Sequence, residues 1–306
     1  MHPATLIDLF LINREAAGIA PSSLTWYRQQ LSDYLRWLDT HPGLTPWSVH
    51  TLTAYLAEQR KRYAPRTVLA RYTALNALLN YAETHEILPR NPMTKKIKAP
   101  TVPKKPAPAI TIEELHQLCD SIVPAAWVDY RDLALIHLVF FSGLRASEAL
   151  ALTLEDFDFA AQLVMIRSGK GNKSDYAPLS PDYRTIFQAY LTNRPSAPAT
   201  QLWCRAGYNE TTAGALQYPG LLKMIKRRCL AAGLPPYTPH ALRHGLAMWG
   251  INNGMRMESV SKALRHASQR TTEMHYAHLK TAAMLTDYNT LLAKQQAEDN
   301  ERRQVR

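Results

Sequence analysis

Pro89-Arg90-Asn91-Pro92-Met93-Thr94-Lys95-Lys96-Ile97-Lys98-Ala99-Pro100-Thr101-Val102-Pro103-Lys104-Lys105-Pro106-Ala107-Pro108 breaks a chain that otherwise forms helices for most of its length. Proline has no amide hydrogen to donate, and its ring clashes with the carbonyl four residues back, so this spacing excludes a continuous helix. Interleaved lysines keep the segment solvated. The stretch predicts a basic, extended linker over residues 91–109, with one domain before it (1–90) and another after it (110–306). At 306 residues the chain is long enough for two cores.

Working outward, Leu24, Tyr27, Leu31, Tyr34, Leu35 and Leu38 recur at the three-to-four spacing of one buried helix face. Ser22 or Ser23, after Pro21, is the expected N-cap. Val68, Tyr72, Leu75, Leu78, Leu79 and Ala82 form a second stripe, and Arg66 and Arg71 fall off it, which predicts a helical bundle with a basic outer face. Beyond the linker, Thr111 and Glu114 have capping-box spacing, and 129–141 reads as an apolar helix. Leu163-Val164-Met165-Ile166 and Tyr176-Ala177-Pro178-Leu179 read as two strands of a hairpin with a long loop. Further helices are expected at about 181–192, 218–231, 240–252, 257–265 and from 282 to the end. The fold class is therefore mainly α with a small antiparallel β-sheet: a helical domain followed by an α+β domain.

The net charge of +11 points to a polyanionic partner, because cations placed on phosphates release condensed counterions. Its distribution sharpens the point: from Arg60 to Lys105 there are 11 Lys/Arg against Glu83 and Glu86 alone. Charge kept for solubility is the competing explanation. At about 3.1 Å per residue, the linker from Asn91 to Ala107 spans a DNA duplex. With no apolar run of 18 residues and no leader-like N-terminus, a cytoplasmic chain without membrane contact is expected. Cys119, Cys204 and Cys229 lack metal-ligand spacing and read as reduced structural thiols. No Gly-x-x-x-x-Gly-Lys loop suggests ATP, so neither metal nor nucleotide cofactor is expected.

Three segments carry chemistry. Ser142-Gly143-Leu144-Arg145-Ala146-Ser147-Glu148 puts an arginine just after a glycine turn between two helices. Thr238-Pro239-His240-Ala241-Leu242-Arg243-His244 opens a helix with a threonine cap and a first-turn proline, so His240 and Arg243 share a face at its positive end. Leu264-Arg265-His266 then precedes Thr271-Thr272-Glu273-Met274-His275-Tyr276-Ala277-His278. Each segment alone is also what a helix cap or a packed histidine looks like.

Taken in order, these segments resemble the tyrosine recombinase (phage integrase) family, in its Xer-like form. That family's pattern is Gly-Leu-Arg-x-Ser-Glu, a lysine in a β-hairpin, His-x-x-Arg, Leu-Gly-His and a tyrosine shortly after. The resemblance covers nearly the whole chain, including Arg90-Asn91-Pro92. It implies a helical core-binding domain and a catalytic domain, and assigns Arg145, Lys170, His240, Arg243 and His266 to phosphate activation, with Tyr276 as nucleophile. Glu148 would support Arg145. The implied reaction is DNA strand cleavage and rejoining through a 3′-phosphotyrosine. The implied assembly is a tetramer on two double-stranded DNA sites, working through a four-way junction; a C-terminal stripe of Met284, Tyr288, Leu291 and Leu292 would dock on a neighbour, with a fraying, solvated C-terminal helix as the alternative. A type IB topoisomerase and a non-catalytic regulator on the same fold are the alternatives. A minimal enzyme is expected rather than one with an added arm-binding domain.

Two guanidiniums suit this chemistry because charge develops on two non-bridging oxygens and each fork offers donors in a matching plane. A tyrosine with a pKa near 10 costs roughly 4 kcal/mol to ionise at neutral pH, so a base or a cationic pocket must help, and His240 and His266 can supply hydrogen bonds or accept the proton. Lys170, with Lys173 the competitor, is the family's acid for the leaving oxygen. Three departures stand out. His266 to Tyr276 is one residue longer than the usual spacing, which makes Tyr288 the fallback nucleophile. Ser174-Asp175-Tyr176 lacks an arginine often found there. Arg265 replaces the glycine, adding a phosphate contact or altering the turn.

Overall fold

The computed structural model describes residues 1–103, 107–167, 175–195, 202–205 and 214–265. The chain divides into two compact units, Met1–Lys105 and Pro106–Arg306.

The first unit is built on four helices, α1 (Pro3–Ala16), α2 (Pro21–Asp39), α3 (Val49–Arg62) and α4 (Pro65–Thr84). Leu6 and Phe10 of α1, Leu31 and Tyr34 of α2, Leu52 and Tyr55 of α3, and Leu75, Leu78 and Leu79 of α4 are buried together. Both predicted stripes lie on this core. The cap of α2 differs from expectation: Pro21 takes the first helical position, where its missing amide hydrogen costs nothing, so Ala20 is the N-cap. Arg71 also departs from the basic outer face. It is buried, pairs with Asp33 at 2.9 Å, and lies 3.9 Å over the ring of Tyr63. The solvent-facing cations of this region are instead Arg60, Lys61, Arg62 and Arg66.

Residues 91–97 fold onto the same unit rather than running out as extended chain. Asn91 is fully buried and donates to Asn76 and Asn80, Met93 joins the core, and Tyr72 donates to the Ile97 carbonyl at 3.1 Å.

In the second unit, Thr111 caps α5 (Ile112–Asp120) with the reciprocal pair expected: Thr111 Oγ1 accepts from the Glu114 N–H, and Glu114 accepts from the Thr111 N–H. Helix α6 (Trp127–Phe141) runs through the core, with Leu135, Leu138 and Phe140 fully buried. Its Asp132 is also fully buried and is neutralised by Arg131, Arg227 and Arg228. The sheet is antiparallel in the order β1 (Phe157–Asp158), β2 (Leu163–Ile166), β3 (Asp175–Pro178), with Val164 opposite Ala177. Strand β1, two residues long, is too short for period-two alternation to reveal. Val164, Ile166 and Ala177 turn inward. Helices α8 (Tyr183–Asn193), α9 (Tyr218–Ala231), α10 (Pro239–Asn252) and α11 (Met257–Ala263) complete the described part, which agrees with the mainly helical expectation. Among the described residues no helix is long and apolar enough to cross a membrane.

Candidate active site

The site forms where α6 ends, α7 (Ala146–Ala151) begins, and α10 and α11 pack beside them. Gly143, with φ of +56°, turns the chain out of α6. A Cβ there would lie 2.8 Å from Leu246 Cδ2 and 2.9 Å from Leu264 Cδ2, so glycine meets a steric as well as a conformational need. The turn presents Arg145 as the N-cap of α7. Trp203 pins that short helix by donating from Nε1 to the Ala149 carbonyl at 2.8 Å.

Arg145 is half-exposed. One guanidinium nitrogen donates to Glu148 Oε1 at 2.6 Å and another to the Arg265 carbonyl at 3.0 Å, while its main-chain N–H donates to Glu148 Oε2 at 2.7 Å. Two contacts on the fork fix its plane and leave an edge toward solvent.

Arg243 comes from α10, whose start is capped by Thr238 Oγ1 accepting from the Ala241 N–H. Gly245 allows this helix to sit close: a Cβ would meet the Ile110 carbonyl and Phe140 Cε2, each at 2.6 Å. Arg243 is buried, unlike Arg145, and donates to the Gly143 carbonyl at 2.6 Å and to the Leu264 carbonyl. His240, one turn earlier, is exposed, and its Nε2 lies 2.9 Å from Nε2 of the buried His244, with the rings edge to face. One imidazole must donate and the other accept, so His244 takes part in setting the tautomer of His240. The sequence reading assigned His244 no role, although its i, i+4 spacing from His240 was the available signal.

Of the two roles the sequence leaves open for Arg265, the structure does not favour an added phosphate contact. The Arg265 side chain is only 5% exposed and turns inward, donating to Glu148 Oε2 at 2.7 Å, the Gly143 carbonyl at 3.1 Å and the Ala263 carbonyl at 2.8 Å. It thus makes no solvent-facing phosphate contact. Three guanidiniums gather on Glu148, that of Arg243 at 3.9 Å. Burial pushes the Glu148 carboxyl upward, but the Arg265 charge and the hydrogen bonds from Arg145 and Arg265 outweigh it and hold it below the ordinary carboxylate range. The cluster is net cationic around an ionised carboxylate, an arrangement suited to a phosphodiester. Lys170, Lys173, His266, Tyr276, Tyr288 and the helix expected from 282 lie outside the described residues; the residues brought together are Arg145, Arg243, Arg265 and Glu148, while His240 stands one turn before Arg243 on α10.

Comparison with known proteins agrees with this fold. The profile of the phage integrase family matches residues 109–283. The chain is 27% identical over 292 residues to the tyrosine recombinase XerC of Chlamydia muridarum (strain MoPn / Nigg), covering 88% of this chain and 91% of that protein. It is 26% identical over 274 residues to the tyrosine recombinase XerD of Lacticaseibacillus casei, covering 89% and 92%. Among solved structures, the XerH site-specific recombinase bound to a palindromic difH substrate, a post-cleavage complex, superposes with a TM-score of 0.69 at 21% identity, covering 94% of this chain and 85% of that one. The Tn1549 transposon integrase in complex with transposon right-end DNA gives 0.72 at 18% identity, covering 94% and 99%. The family match and the fold together define a tyrosine recombinase catalytic domain. The chain belongs to the phage integrase family, as a tyrosine site-specific recombinase of the Xer-like kind.

Proposed function

We propose that this recombinase breaks and rejoins double-stranded DNA through a covalent 3′-phosphotyrosine on Tyr276, without metal. The observation that carries the reading is the oriented guanidinium pair: Arg145 held edge-out by Glu148 and the Arg265 carbonyl, with Arg243 fixed behind it on the Gly143 carbonyl. Preorganised donors of this kind stabilise charge that develops only in the transition state. The Tyr276 hydroxyl oxygen attacks the scissile phosphorus, its proton passing to His240 or His266. The bond from phosphorus to the 5′-oxygen breaks, and Lys170 donates the proton that oxygen takes up. Reversal with a 5′-hydroxyl from a second duplex restores the phosphodiester and frees the tyrosine. Four protomers on two sites would carry out the two exchanges through a four-way junction, the first unit supplying a core-binding grip on the DNA.

The test begins by incubating the full chain with fragmented genomic DNA in excess EDTA and sequencing what is covalently trapped. Adducts are expected, and Tyr276→Phe is expected to abolish them while binding to the recovered site stays within about threefold. A strict divalent-metal requirement, or adducts lost only in Tyr288→Phe, would overturn the assignment. Exchange of strands between two differently labelled duplexes supports recombination; relaxation of supercoils without exchange would mark a topoisomerase instead.

A further inference from the structure

Arg265 stands where the family pattern has glycine, and its backbone keeps the left-handed conformation that suits a glycine, with φ of +49°. A residue with a Cβ persists there only if its surroundings hold it. The surroundings are the active-site elements themselves. From one end, the Arg265 main-chain carbonyl accepts from Arg145 at 3.0 Å. From the other, its guanidinium ties Glu148 Oε2 to the Gly143 carbonyl, the same carbonyl that accepts from Arg243 at 2.6 Å. Its Nε is buried, with no partner among the described residues, so the fork serves the interior and not a ligand in solvent.

We propose that Arg265 is a positioning residue: a buried guanidinium that locks Glu148 and the Gly143 turn and thereby fixes the orientation of Arg145 and Arg243 toward the scissile phosphate. The proposal rests on the recombinase reading above. Without Arg265, the Glu148 carboxylate keeps its burial and loses its nearest buried cation, leaving Arg145 from the start of α7 and the more distant Arg243 from α10 as the charges facing it. It then competes with the phosphate for those donors, and the Leu264–Arg265 turn that holds Arg145 relaxes.

The sign of the pH effect follows from the carboxylate. In the wild type the charge of Arg265 and the hydrogen bonds to Glu148 hold it ionised, so the contribution of Glu148 is present above the unfolded carboxylate range and fades as pH falls through its lowered folded value. Removing Arg265 leaves burial less opposed and moves that loss to higher pH.

The test uses the full chain with Arg265→Met, Arg265→Gly and Arg265→Lys, and each change combined with Glu148→Gln. Equilibrium unfolding, binding to the trapped DNA and single-turnover cleavage are followed across pH. Arg265→Met is expected to bind within about threefold yet cleave roughly 10²-fold more slowly, the cost of misplacing preorganised groups. Its acid limb should move to higher pH. Glu148→Gln should remove that shift, and the double variant should be no slower than the slower single one. Arg265→Lys should restore the acid limb but only part of the rate, because an ammonium supplies charge without the planar fork. Arg265→Gly, whose backbone is relaxed, should remain slow. Wild-type rates in Arg265→Met or Arg265→Gly, or additive effects with Glu148→Gln, would overturn the proposal. Weakened binding at an unchanged cleavage rate would make Arg265 a phosphate contact instead. If the wild-type chain traps no DNA, the recombinase reading fails. Unfolding then decides the lock alone: coupling between Arg265→Met and Glu148→Gln supports it, and additivity rejects it.

Discussion

Arg145 and Arg243 bear the same group in opposite surroundings, and that difference separates what each should do when removed. Arg145 is half-exposed, so Arg145→Ala should change unfolding free energy by no more than about 1 kcal/mol while cleavage falls by on the order of 10²- to 10³-fold. Arg243 is buried and shares the Gly143 carbonyl with Arg265, but it also serves the Leu264 carbonyl. Arg243→Ala should lose cleavage and, in addition, destabilise by roughly 1–3 kcal/mol, the cost of an abandoned buried acceptor. Denaturant unfolding of the two variants checks the contrast. The proposed acid is tested by its leaving group. With a bridging 5′-sulfur, which departs as a thiolate without needing a proton, Lys170→Ala should recover most of a roughly 10²- to 10⁴-fold loss. Arg145→Ala and Arg243→Ala should not recover, because the non-bridging charge is unchanged. Rescue of Lys173→Ala instead would move the role to Lys173.

Among elements, α10 carries both His240 and Arg243, so its seating against α6 and Ile110 sets the geometry of the site. Gly245→Ala places a methyl 2.6 Å from the Ile110 carbonyl and 2.6 Å from Phe140 Cε2, and a main-chain oxygen cannot swing aside as a flexible side chain would. The expected cost is about 1–3 kcal/mol of overpacking, with cleavage reduced because the helix is displaced; unfolding curves beside cleavage rates check it. The elements were legible where periodicity is long: the stripes of α2 and α4, the capping box of α5, and the Thr238-Pro239 start of α10. They were illegible where partners are distant in sequence. Arg71 looked like part of a solvated face because nothing nearby announces Asp33, 38 positions earlier on another helix. Arg265 was recognisable as a departure from a pattern, but its contact with Glu148, 117 residues away, is a product of the fold. Arg71 accordingly yields a prediction opposite to that of a DNA contact: Arg71→Ala should lower stability by about 1–3 kcal/mol and leave the salt dependence of DNA binding unchanged, as measured by melting and by titration at several salt concentrations.

At the scale of the molecule, the two units own separate cores, one drawing on Leu6, Tyr34, Tyr55 and Leu78 and the other on Leu135, Phe140, Tyr190 and Leu242. Charge is divided unevenly between them. Residues 1–105 contain fourteen Lys/Arg against seven acids, with the dense block from Arg60 to Lys105 inside that span. Two explanations of the block lead to different measurements. If it keeps the protein soluble, it contributes little to binding beyond a general attraction. If it is a footprint on the backbone of DNA, each neutralised phosphate steepens the fall of log K with log salt by about 0.9. The fragment 107–306 retains the whole described core of the second unit and all proposed catalytic residues, so it is expected to fold and to keep Tyr276-dependent cleavage on a trapped site at high protein concentration. Its binding should be weaker, and its salt slope shallower than that of the full chain by several units. Supplying residues 1–105 separately should not restore the full slope at matched concentrations, because the linkage makes the second contact intramolecular. Equal slopes for fragment and full chain would assign the block to solubility and leave phosphate recognition to the second unit.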